Sequence, residues 1–162
     1  MEIKQFQEKD YSAIAEIYLQ GIATGHATFQ TEAPSWNDWD KSHLPFCRLA
    51  VFEEWEMLGW AALSPVSSRF VYGGVAEVSV YVASSARGKG IGKTLLAQLV
   101  KESEENELWT LQSGIFPENE SSIKLHEQVG FRKIGYRERI GKMNDVWRDN
   151  IIMERRSKIV GV

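Results

Sequence analysis

The stretch 80-VYVASSARGKGIGKTLL-96 decides the reading of this chain. It starts β-branched and aromatic, as strands do. Gly88, Gly90 and Gly92 follow, interleaved with Arg87, Lys89 and Lys93. Ile91, Leu95 and Leu99, with Leu96 and Val100, then repeat at i, i+4, the spacing of a helix that lays one face on a sheet. Glycines let a backbone adopt positive φ and approach a ligand closely. A turn at a helix N-terminus presents unpaired N–H groups and the positive end of the helix dipole. The combination is an anion site, above all for phosphate or pyrophosphate. Read on spacing alone, the same residues also fit a solvated basic turn.

The surroundings narrow the ligand. A dinucleotide fingerprint needs G-x-G-x-x-G, and its third glycine is replaced by Lys93. A nucleoside-triphosphate loop needs G-x-x-x-x-G-K-[ST]; "GKT" stands at 92–94, but position 87 is Arg, so the loop is one residue short. The chain has 162 residues, 43% hydrophobic and 25% charged, which suits one soluble domain with a real core. Its net charge of −3 gives no basic field for nucleic acid. The one cysteine, Cys47, cannot form an intrachain disulfide and reads as a small buried apolar residue. No apolar run is long enough for a membrane span, and the charged start "MEIKQFQEKDYSAIAEIY" is not a signal peptide. The cytoplasm is the expected compartment. His26 and His43 read as loop residues, and no ligand spacing marks a metal site.

Outward from the glycines, "EIKQF" alternates as a first strand. Asp10 reads as the N-cap of a helix carrying Ile14, Ile17 and Tyr18. "GHATFQTEAPS" reads as a loop, and "SWNDWDKSHL" as a short helix capped by Ser35. "RLAVFEE" and "MLGWAALSP" form a hairpin through "EEWE". "SSRFVYGG" is a loop. "AEVSVYVA" is a strand with Glu77, Ser79 and Tyr81 on one face and Val78, Val80 and Val82 on the other. "WTLQSGIF" is another strand. "PENESSIKLHEQVG" is a helix capped near Asn119 or Ser121 and ended by Gly130. "FRKIGYRERI", broken by Gly135, and "VWRDNIIMER" are the last two strands. The expected fold is one mixed α/β (α+β) domain over residues 1–156, with a loosely ordered tail at 157–162.

"RGKGIG" at 87–92 fits R-x-x-G-x-G and resembles the acyl-CoA pyrophosphate loop of the GNAT N-acetyltransferase superfamily. "NESSIKLHEQVGF" at 119–131 resembles the later helix of that superfamily. With "DYSAIAEIY", "TFQTEAPS", "SRFVYGGVAEVSVYV" and "VWRDNIIMERR", nearly the whole chain is similar to the phosphinothricin and methionine sulfoximine N-acetyltransferase branch. That resemblance implies a GNAT fold: a mostly antiparallel central sheet flanked by helices, whose central strands splay around acetyl-CoA. It implies that Val80, Tyr81 and Val82 pair with the pantetheine arm. It also implies that the backbone from Arg87 through Gly88, Lys89, Gly90, Ile91, Gly92 and Lys93 holds the pyrophosphate, and that Asn119 bonds the pantetheine or a nearby water. A homodimer is implied as well.

Direct attack of an amine on a thioester requires a neutral amine. Model α-amines have a pKa of about 8 and Lys about 10.4, so a base is needed. The resemblance makes Glu77 the first candidate base and His126 the second. Alone, Glu77 also reads as a surface glutamate and His126 as a structural histidine. Tyr136 is a loose match for a thiolate-protonating tyrosine, with core packing the simpler reading. Arg69 and Tyr72 match an R-x-x-Y loop whose guanidinium would fork onto an acceptor carboxylate, and Phe29 would wall the pocket. Ala76 stands where much of the branch has threonine, which leaves the acceptor open. The expected function is acetyl transfer to a small amino-acid-like amine. The alternatives are a protein, peptide or polyamine acceptor, or a non-catalytic acyl-CoA sensor.

Overall fold

The computed structural model describes all residues, 1–162. The chain runs through strand β1 (Glu2–Gln5), helices α1 (Tyr11–Ala23) and α2 (Trp36–Ser42), strands β2 (Leu49–Glu53), β3 (Glu56–Pro65) and β4 (Val75–Val82), helix α3 (Ile91–Glu105), strand β5 (Thr110–Ile115), helix α4 (Glu120–Gln128) and strands β6 (Arg132–Met143) and β7 (Val146–Arg156). The seven strands form one sheet in the order β1-β2-β3-β4-β5-β7-β6. Every neighbouring pair is antiparallel except β4 with β5. No helix is long and apolar enough to cross a membrane.

The two-residue period of the strands sets which helix covers which face. Gly59 on β3 faces α3, where a Cβ would lie 3.1 Å from Leu95 Cδ1. Its neighbour Trp60 faces α1 and donates its indole N–H to the Ile14 carbonyl at 3.1 Å. On β4, Tyr81 faces α1 and Val82 faces the start of α3. The expected split of Glu77, Ser79 and Tyr81 from Val78, Val80 and Val82 is therefore the observed one. Helix α3 buries Ile91, Leu95, Leu96, Leu99 and Val100. Cys47 is buried, and desolvation pushes its thiol up to about 12, which leaves it protonated and inert.

Three local expectations change. Asp10 does not cap α1; its carboxylate turns back and accepts the Gln7 backbone N–H at 2.9 Å, closing a 3₁₀ turn ahead of the helix. Gly135 does not break β6, which bulges between Lys133 and Gly135 and runs on to Met143. The tail is tied down: Ser157 is buried and donates to Glu104 Oε1 at 2.8 Å, while Arg156 donates to the carbonyls of Val160 and Gly161.

One pairing positions the site. β4 pairs with β3 from Ala76 to Val82, but with β5 only from Val75 to Glu77. Beyond Glu77 the two central strands part, and the β5 flank of residues 78–82 has no strand partner. An unpaired interior strand edge needs other hydrogen-bond partners.

Candidate active site

The gap between β4 and β5 opens into a cavity of about 940 Å³, lined from β4, β5, α3, α4, the loop after α1 and the far strands β6 and β7. At one end lies the glycine-rich turn. Gly88 and Gly90 have φ of +78° and +79°, a left-handed conformation that costs an L side chain roughly 1–2 kcal/mol. A Cβ at either would meet nothing within 4 Å, so open space lies over this backbone. Gly90 is the N-cap of α3, and Thr94 N–H is the donor that reaches back to the Gly90 carbonyl, at 3.1 Å. The N–H groups of Ile91, Gly92 and Lys93 precede the first i→i−4 bond and are left for a ligand. Arg87 and Lys93 line the cavity; Lys89 does not. Backbone, charge and the free strand edge together fit a long thioester with a pyrophosphate at one end.

Glu77 lies at the last paired rung of β4 and β5 and lines the cavity. Glu77 is exposed to the open cleft, yet the protein around its carboxyl displaces enough water to raise it above the usual carboxylate range; the Arg137 guanidinium pulls in the opposite direction. A raised carboxyl is a stronger base once ionised. His126 is only 1% exposed. Its Nδ1 lies 2.7 Å from the Ser122 carbonyl, which assigns the ring proton to Nδ1. That leaves Nε2 as a buried lone pair with no partner. Burial lowers its pKa below 6.5, so the ring is neutral at pH 7.

Asn119 caps α4 and accepts the Ser122 N–H at 3.3 Å. Its amide N–H donates to the His26 carbonyl at 3.2 Å, so this residue ties the loop after α1 to the cavity wall. Arg148 of β7 grips the same loop. It is 11% exposed and lies over the Phe116 ring at 4.2 Å. It donates to the Gly25 carbonyl at 2.9 Å, lies 2.8 Å from His26 Nδ1, and pairs with Glu118 at 3.3 Å. Phe29 packs edge-on against Phe116 at 4.7 Å and lines the cavity, as expected of a pocket wall.

Two partly or fully desolvated histidines carry a stability consequence. His126 and His43 both have folded pKa values lowered by burial from 6.5. The unfolded chain therefore binds more protons as the pH falls through 6.5, and stability rises with pH across that window. It is fully present above 6.5 and declines toward the folded values. We expect the urea midpoint to drop between pH 7 and pH 5, with a smaller drop in His126→Gln. An equal drop in that variant would remove His126 from the linkage.

Residues 9–131 match the Acetyltransferase (GNAT) family. The chain belongs to this family. A phosphinothricin N-acetyltransferase of Streptomyces coelicolor is 33% identical over 157 residues, covering 91% of each chain. Among solved structures, a ribosomal-protein-alanine N-acetyltransferase from Brucella melitensis superposes with a TM-score of 0.89 at 31% identity, covering 97% of this chain and all of that one. The phosphinothricin acetyltransferase of Sinorhizobium meliloti, solved in complex with AcCoA, gives 0.85 at 27%, covering 99% and 95%. The expected GNAT fold, with its mostly antiparallel sheet and parted central strands, is the fold observed.

Within this GNAT domain most of the expected site residues meet. Glu77, His126, Val80, Tyr81, Val82, Arg87, Gly88, Gly90, Ile91, Gly92, Lys93, Asn119 and Phe29 all line the one cavity. Arg69 and Tyr72 do not: the Arg69 guanidinium lies 5.4 Å from the Tyr72 ring centroid, on an exposed 3₁₀ turn beside Phe70, which is 99% exposed. Tyr136 is neither core nor cleft. It is exposed on β6 and donates its phenol O–H to Asp149. No group of three or more His, Cys, Asp and Glu side chains converges as a metal site would require. The cavity also contains Ser79, which shares the Glu77 face of β4, and Gln112, Arg137 and Asn150, which no motif singles out.

Proposed function

We propose that this GNAT protein moves the acetyl group of acetyl-CoA to the amine of a small amino-acid-like acceptor. The observation that carries the reading is the joint presence, in one cavity, of an unpaired β4 edge with Glu77 at its start and an open α3 N-terminus beyond its other end. The backbone at 80–82 takes the pantetheine amides as a strand neighbour would, and the N–H groups of Ile91, Gly92 and Lys93 take the pyrophosphate. Glu77 accepts the proton of the attacking amine, directly or through one water. The N–C bond forms as the C–S bond breaks, and CoA leaves as the thiolate and is then protonated. No acyl-enzyme is needed: the one thiol of the chain is buried and protonated. His126 Nε2, buried and neutral, offers a lone pair to a water in the proton path.

The acceptor class is supported by the phosphinothricin acetyltransferases among the relatives. The exposed apolar turn of Phe70 and Val71 suits a contact with a second copy, which would bring Arg69 against that copy. The test is acetyl-CoA-dependent thiol release with phosphinothricin, methionine sulfoximine, methionine sulfone, common amino acids, polyamines and alanyl peptides. Turnover confined to small amino acids and their sulfur or phosphorus analogues supports the reading. Turnover confined to peptides or polyamines moves the acceptor class and keeps the chemistry. Tight CoA binding with no turnover of any amine leaves a sensor.

A further inference from the structure

We propose that Arg137, and not Arg69, receives the acid group of the acceptor, an inference that rests on the amino-acid-like acceptor proposed above. The sheet register carries it. Glu77 pairs with Gln112, Gln112 with Glu154, and Arg137 with Asn150. Residues paired across strands, and those two apart along one strand, share a face. Glu77 on β4, Gln112 on β5, Asn150 on β7 and Arg137 on β6 therefore all point to the same side of the sheet, and all four line the cavity.

The cations in and beside this cavity are differently committed, Arg148 standing outside its lining. Arg87 and Lys93 belong to the glycine turn. Arg148 is spent on Glu118, Gly25 and His26. Arg137 has no ion pair; the neighbouring acid, Glu138, pairs with Arg139 instead. It stands near enough to Glu77 for its charge to be felt there. An amino acid whose amine addresses Glu77 would offer its carboxylate to this guanidinium, which can fork onto both oxygens. The Asn150 amide provides a second polar group at the same rung, lying across Gly114, where a Cβ would sit 2.7 Å from Asn150 Oδ1.

The arrangement has a second consequence. With Arg137 neutralised by an acceptor carboxylate, its lowering effect on Glu77 is removed, and Glu77 becomes a stronger base while the acceptor is bound.

The test compares wild type, Arg137→Gln, Arg137→Lys and Arg69→Ala. Two readouts are taken. One is kcat/KM for an amino-acid acceptor against its decarboxylated amine. The other is the calorimetric Kd of that amino acid for the enzyme–CoA complex. Arg137→Gln is expected to lower the acid-over-amine ratio at least about tenfold and to weaken the calorimetric Kd to a similar degree. Arg137→Lys should fall between, and Arg69→Ala should keep the wild-type ratio. The acid limb of the kcat/KM profile should also move to higher pH in Arg137→Gln, which a merely structural loss would not cause. A ratio and a Kd within twofold of wild type, or a collapse of the ratio in Arg69→Ala alone, overturns the assignment. A wild type that acetylates no small acid refutes the proposed function separately. In that case the calorimetry still decides: no amino acid bound, or binding unaffected in Arg137→Gln, overturns Arg137 as well.

Discussion

Replacing Glu77 by Gln is expected to lower kcat by about 10²- to 10⁴-fold, the range that a positioned general base contributes. The Kd for acetyl-CoA should remain near that of wild type, because the pyrophosphate turn and the β4 edge are untouched. The wild-type pH profile should lose activity as the pH falls through the Glu77 pKa, which desolvation holds above the ordinary carboxylate range. In Glu77→Gln that limb should disappear. Stability should move the other way. A carboxyl raised in the folded state binds more protons folded than unfolded, so ionising it at neutral pH costs stability. The Gln variant should therefore melt no lower than wild type at pH 7. Turnover within threefold of wild type across pH 5–9 would remove Glu77 from the chemistry.

Trp60→Ala is the second large effect, expected to cost about 3–5 kcal/mol in urea unfolding. That is a large part of the stability of an ordinary domain, about 5–15 kcal/mol. Trp60 is 1% exposed. It stacks on Tyr81 at 5.0 Å and meets the rings of Trp39, Tyr18 and Phe6 at 5.9, 6.3 and 6.4 Å. Its loss leaves a cavity beneath α1 and strips the Ile14 carbonyl of the indole donor. The damage reaches the site, because Tyr81 is a wall of the cleft and also packs against Gly21, where a Cβ would lie 2.8 Å from its ring. A loss under about 1 kcal/mol would mean that this cluster does not anchor α1 to the sheet.

Much of this could be read from residues 75–100. Alternation on β4 separates Glu77, Ser79 and Tyr81 from the valines, and the i, i+4 leucines mark the face that α3 lays on the sheet. Both are local periods, set by strand and helix geometry alone. What escaped the sequence depends on pairing between distant segments. The insertion of β7 between β5 and β6 brings Asn150 and Arg137 to the cleft, and no local pattern encodes that order. β6 is exposed along most of its length, so it carries no core period to mark which side faces the site. Arg148 looked like one charge among many in "VWRDN"; only the fold sets it beside Gly25 and Glu118. The R-x-x-Y motif points to Arg69, yet the exposed turn it sits on keeps it out of the cavity. The tail reads as loose in sequence because Ser157 finds its partners, Glu104 and Trp109, far back in the chain.

A crystal structure of the protein with acetyl-CoA tests the proposed site most directly. The pantetheine arm is expected beside Val80–Val82 in the gap between β4 and β5, and the pyrophosphate on the N–H groups of Ile91–Lys93. The thioester carbonyl should stand within one water of the Glu77 carboxylate. A thioester bound on another face, or one separated from Glu77 by packed protein, would contradict it.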